Sequence, residues 1–181
     1  VLNVESASHI ILAVPTFFTT IQEAIVAAYP EDTVEVLSGT YAESLDLLDK
    51  NLVLRSVAGP DSTLIEGGGQ GPVLTISGGQ SNLTMVNGFT LTGGGGTAGG
   101  GVLVDGEATP NFQRLVLAAN TVSGNGAGML VLSGSAALNH ITMSGNTAGG
   151  SGGALYAAAG SAVTIDNSIL WNNGTTEIGS S

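Results

Sequence analysis

Apolar and polar residues alternate in short runs along this chain, and from Val86 onward one such run recurs four times. It reads VNGFTLTGG over 86–94, FQRLVLAAN over 112–120, LNHITMSGN over 138–146 and IDNSILWNN over 165–173. The starts lie 26, 26 and 27 residues apart, a period that marks a stack of repeats. Alternation with period two sends one set of side chains inward and the other outward. Phe89, Leu115, Ile141 and Ser168 form one inner column, and Leu91, Leu117, Met143 and Leu170 another. Thr90, Val116, Thr142 and Ile169 face out, as do Thr92, Ala118, Ser144 and Trp171.

Between copies lie glycine-rich turns and a second apolar run, GVLV from Gly101, GMLVL from Gly128 and GALYA from Gly153. Each repeat therefore reads as one coil of about three strands, with equivalent residues stacked about 4.8 Å apart in parallel register. Some six coils would make a rod about 30 Å long. The copies end in Gly94, Asn120, Asn146 and Asn173. Asn and Gly tolerate the left-handed backbone of a sharp corner, and stacked Asn amides can bond to one another along the rod. These asparagines are read as a structural corner ladder.

Upstream, the run HIILAV before Pro15 reads as a strand. Thr19 or Thr20 can then cap a helix through Ile21, Ala24, Ile25 and Ala28, with Glu23 in its first turn. A helix this short is marginal alone, so it is expected to lie as a lid on the first coil. Further strands are expected over 33–37, 45–48, 52–56, 62–66 and 73–77. They are separated by turn signals at Ser38-Gly39, Asp49-Lys50-Asn51, Ala58-Gly59-Pro60-Asp61 and 67–72. The reading is one all-β domain over 1–181: a strand and capping helix (1–30), first coils (31–85) and glycine-rich coils (86–181).

Composition shifts along the chain without breaking it. Residues 1–66 hold two glycines and ten acids, and residues 67–181 hold 27 glycines and four acids. With a net charge of -11 and only Lys50, Arg55 and Arg114 as strong cations, the chain is a poor match for a phosphate backbone or anionic lipid. Neither nucleic-acid binding nor membrane insertion is expected. Cysteine is absent, which removes disulfides and thiolate metal sites. The apolar run at 10–14 is too short to span a bilayer. No charged and apolar leader precedes it, so export would mean that a signal peptide has been removed.

At this point the chain resembles the right-handed parallel β-helix superfamily, which includes pectate lyases, pectin methylesterases and many bacterial surface proteins. The segment 20–56 is similar to the start of many such domains, and Gly39, Tyr41 and Glu43 match a Gly-x-Tyr-x-Glu phrase found there, read as a turn. The later SGNTAGGSGGALY and NSILWNN resemble repeats of polymorphic outer-membrane and related surface proteins. The resemblance implies a single-stranded right-handed β-helix, but the enzyme motifs of the superfamily are missing. The chain has neither of the pectin methylesterase phrases and no Asp-Asp pair beside Gly-His-Gly. Asp105, Glu107 and Asp166 fall on different parts of the coil.

Other constellations carry little. Gly94-x-Gly96-x-x-Gly99 lacks the helix that a nucleotide site needs, and Ser151 in Gly149-x-Ser151-x-Gly153 has both His9 and His140 before it in the chain. His140 replaces Gly88 and Arg114 in its column, at a solvated position. Broken rows of Thr argue against ice binding. Calcium is the one cofactor the acids could hold, at Asp46 with Asp49 or Glu31 with Asp32; otherwise no cofactor is expected. Trp171 faces outward beside Ile169, to meet a sugar, a partner or the tail over 175–178.

The last repeat runs out into NGTTEIGSS without an amphipathic lid, so either more coils follow or another molecule covers that end. Two functions follow. The first is a non-catalytic extracellular or cell-surface structural or adhesive solenoid that assembles head to tail into fibres, with itself as partner. The second is an extracellular polysaccharide-binding or polysaccharide-cleaving protein. In either case Trp171 and Ile169 are the expected contact surface.

Overall fold

The computed structural model describes residues 9–174 and 176–181. Among the described residues, three long parallel sheets wind around one core in a β-solenoid of about six coils, with a fourth, two-stranded sheet (Thr121–Val122 with Thr147–Ala148) and one short helix. Sheet 1 contains, in spatial order, Ile11–Val14, Thr33–Val36, Val53–Ser56, Met85–Asn87, Asn111–Gln113, Ser135–Asn139 and Ala162–Asp166. Sheet 2 runs Gly39–Tyr41, Thr63–Glu66, Thr90–Thr92, Val116–Ala118, Thr142–Ser144 and Ile169–Trp171. Sheet 3 runs Leu45–Asp46, Leu74–Ile76, Val102–Val104, Met129–Val131, Leu155–Ala157 and Ile178–Ser180.

The register follows the repeat. Val86 pairs with Phe112, Phe112 with Leu138 and Leu138 with Ile165. On sheet 2, Leu91 pairs with Leu117, Leu117 with Met143 and Met143 with Leu170. Phe89, Leu115 and Ile141 are buried. Ser168, at the foot of their column, is half-buried, and its hydroxyl accepts from Ile141 N at 3.0 Å. Inward aliphatic columns from all three sheets form one continuous core, so a coil becomes stable only by stacking on its neighbours.

The third side has an extra layer. Leu130 points outward from sheet 3 between the inward Met129 and Val131, yet is buried. Gly99 and Gly126, in the glycine-rich crossings between sheets 2 and 3, lie against it. Glycine is needed there for close approach. A Cβ on Gly101 would collide with the carbonyl oxygen of Gly128, and one on Gly128 with that of Ala154.

The helix spans Ile21–Ala27 and rests its buried Ile21, Ala24 and Ile25 on the first coil. Thr20 is its cap: Thr20 Oγ1 accepts from Glu23 N and Glu23 Oε2 accepts from Thr20 N, each at 3.1 Å, a reciprocal capping box. Three sequence expectations are corrected. The Gly39–Tyr41 phrase is a strand paired with Thr63–Ile65, not a turn, because Gly39 N donates across to Ser62 O at 2.9 Å. The tail does not run out unpaired, since Ile178–Ser180 pairs with Leu155–Ala157. The left-handed corner residues are Gly93, Ala119, Gly145 and Asn172, one position before Gly94, Asn120, Asn146 and Asn173. Asn120, Asn146 and Asn173 keep ordinary backbone angles, and their side chains bond along the stack instead of forming the bend.

Candidate functional site

Three places hold organised polar or exposed apolar side chains. The first is the buried ladder. Asn120 Oδ1 accepts from Gly94 N at 2.8 Å. Asn146 Oδ1 accepts from Asn120 N at 3.1 Å and Nδ2 at 3.0 Å, and Asn173 Oδ1 accepts from Asn146 N at 3.2 Å and Nδ2 at 2.7 Å. The remaining amide hydrogens go to the Leu91, Leu117 and Met143 carbonyls. Every donor is used, which is what makes a fully buried row of amides tolerable.

The second is the lid and the coil beneath it. Glu43 accepts from Ile21 N and Gln22 N, both at 3.0 Å, at the N-terminus of the helix. Lys50 Nζ donates to the Ile25, Val26 and Ala28 carbonyls at 2.8–2.9 Å, at its C-terminus. An anion and a cation thus sit at the ends that the helix dipole favours. Asp32, buried, accepts from Ile10 N and Tyr29 N. Tyr41 donates to Leu37 O at 3.0 Å, and burial first, then the Glu43 charge, hold its phenol above the ordinary 10.0.

The third is the outer surface. On sheet 1, Asn87, Gln113, Asn139 and Asp166 share one outward column. Asn87 Nδ2 donates to Gln113 Oε1 at 3.3 Å and Arg114 Nε to Asn87 Oδ1 at 3.1 Å. Gln113, Asn139 and Asp166, together with Met85 and Asn111, line a depression of about 190 Å³. On sheet 2, the outward column Thr92, Ala118, Ser144 ends in Trp171, and Thr90, Val116, Thr142 ends in Ile169. Trp171 is 72% and Ile169 62% exposed. The described part of the tail, residues 176–181, leaves Trp171 exposed because Ile178–Ser180 joins sheet 3, and Thr175 lies outside the described residues.

The other candidates are dispersed. Ser151 N donates to Asn125 Oδ1 in a stacked turn, and His140 is an exposed left-handed corner residue. The Gly94 to Gly99 segment leads into a strand of sheet 3, not a helix. Asp105 accepts from Ser133 Oγ and from Gly106 N at the corner between sheets 3 and 1, whereas Asp166 closes a strand of sheet 1. Of the paired acids, Glu31 contacts His9 at 3.0 Å and Asp46 Oδ1 accepts from Leu48 N. Among the described residues no group of three His, Asp or Glu converges as a metal site would require.

Sequence reasoning missed Glu43, Lys50 and Glu177 as working residues. Their partners lie 4 to 25 positions away in the chain, outside the repeat period. The amide column on sheet 1 did carry a signal, since Asn87, Gln113 and Asn139 are spaced like the ladder.

Fold and surfaces together define a parallel β-solenoid repeat protein with built lateral faces. Compared with protein-family models, curated proteins and solved structures, the chain matches none.

Proposed function

We propose that this chain is a non-catalytic structural or adhesive module of an extracellular or cell-surface protein, akin to the right-handed parallel β-helix superfamily. The observation that carries the reading is how the acids are used. Asp32, Glu43, Glu23 and Glu177 hold backbone or ladder amides, and Glu35 pairs with Arg55 at 2.7 Å. Carboxylates committed to corners and ends stiffen a rod; catalysis would need them gathered around one cleft. End-to-end stacking of copies through the sixth coil, whose inward Val163, Ile165 and Leu170 are only partly covered, belongs to the same proposal.

Two measurements test it. Incubation with a panel of neutral and uronic-acid polysaccharides should release no reducing ends or unsaturated products, and any turnover would overturn the non-catalytic reading. Sedimentation velocity over a wide concentration range should show chains of rods, and a strictly monomeric rod throughout would remove the assembly component.

A further inference from the structure

The strands of sheet 2 from Thr90 to Trp171 present eight outward side chains, none of them ionisable. Charge is sparse in this part of the chain, where residues 67–181 hold four acids, and the nearest carboxylate in the same outward column is Glu66, paired with Thr92 one coil earlier. Along this face the side chains stay small or medium for three coils and then step up abruptly, from Ser144 to Trp171 and from Thr142 to Ile169. Trp171 and Ile169 alternate on one strand and so lie side by side on the same surface. Both are mostly exposed.

The size and charge of this patch narrow what it can hold. Two such side chains expose about 300 Å² of contiguous apolar surface, the scale at which patches on monomers are often functional. A stable dimer needs about 800 Å² per partner, so a second copy of the chain is a poor fit. Absence of charge removes the means of holding an acidic polymer or a basic peptide. What fits is an uncharged ligand with a flat apolar ring face to stack on the indole and hydroxyls at its rim. The Ser144 and Thr142 hydroxyls, one coil back from the platform, are spaced about 4.8 Å from it along the rod and can bond such a rim.

The geometry points to Trp171 and Ile169 as a stacking platform for a neutral polysaccharide, with the polymer lying along the rod axis over Ser144 and Thr142. This rests on the adhesive reading and gives it a ligand class. It also separates the site from the amide-lined depression on sheet 1, which lies around the corner formed by Asn167 and Ser168.

Trp171 is the only tryptophan beside three tyrosines, so fluorescence excited selectively at the red edge, where tyrosine does not absorb, reports this site alone. Titration with soluble cello-, manno- and chito-oligosaccharides is expected to shift Trp emission to the blue. The protein is expected to be retained on insoluble cellulose or chitin. Trp171→Ala should weaken retention about tenfold or more, with Trp171→Phe between the two and all three melting alike. Three outcomes would overturn the proposal: no retention on any neutral polymer, retention unchanged in Trp171→Ala, or a Trp171-dependent dimer in sedimentation. Preference for polygalacturonate, lost in a Gln113→Ala, Asn139→Ala variant, would instead place binding on sheet 1 and also overturn it. Failure here leaves the non-catalytic reading standing, since that one falls only if polymer is cleaved.

Discussion

The Asn173 side-chain amide donates to Glu177 Oε2 at 2.7 Å, and the Asn173 backbone N–H donates to Glu177 Oε1 at 3.2 Å. In the coils below, each of these donors meets the side-chain oxygen of the next asparagine, 26 or 27 residues on. At the sixth coil a carboxylate four residues on takes that place. Glu177 can accept both bonds without needing a donor partner of its own, so it closes the row.

Replacing Glu177 by Ala should therefore leave two donors on Asn173 without their protein acceptor. The expected loss is about 1–2 kcal/mol, since Glu177 is only half-buried and water can substitute. Asn146→Ala should cost more, about 2–4 kcal/mol, because it strips buried partners from Asn120, Asn173 and the Leu117 carbonyl together. Urea denaturation of both variants checks the order.

The lid should respond to its two charged clamps. Lys50→Met removes three bonds to the end of the helix, and Glu43→Gln replaces the anion at its start with a neutral acceptor. Each is expected to cost about 1–2 kcal/mol. The effect should be local, with faster amide exchange at Ala24 and Ala28 and none in the later coils. Uniform acceleration across the chain would contradict a separate lid.

Three glycines distinguish three reasons for glycine. Gly128→Ala places a methyl against the Ala154 carbonyl and should cost about 3 kcal/mol or more. Gly160 has open space but a φ of +84°, so its Ala variant should lose only the left-handed strain, about 1–2 kcal/mol. Gly68 has neither constraint, and Gly68→Ala should fall within about 0.5 kcal/mol of the parent. Thermal melts of the three decide it.

Alkaline pH should weaken the fold through Tyr41. Its phenol ionises above the ordinary 10.0 in the folded chain. In the window between that ordinary value and the raised one, the unfolded state sheds the proton first, so stability falls as pH rises. Below the window the phenol is neutral in both states and the contribution is complete. Denaturant midpoints on either side of pH 10 should show this slope, and Tyr41→Phe should flatten it.

Much of the architecture is legible from spacing. The 26- and 27-residue steps that align Val86, Phe112, Leu138 and Ile165 in the sequence are the steps of the parallel register. This works because each residue in a stacked coil meets mainly its counterpart one period away. The helix was equally readable, since Thr20, Glu23 and the Ile21, Ala24, Ile25 stripe are local signals. Gly39-Thr40-Tyr41 was misread because turn-forming residues enter a strand once a neighbouring coil offers its carbonyls.

What sequence by itself determined, then, is the repeat: its period, its inner and outer columns, and the lid. Tertiary structure alone decided where the departures from the repeat find partners. Glu43 and Lys50 reach the helix across a coil, Glu177 turns back onto the ladder, and Ile178–Ser180 joins sheet 3, leaving Trp171 exposed. Periodic contacts are set by composition at fixed spacing, whereas these aperiodic ones exist only after the coils have stacked and brought the groups within bonding distance.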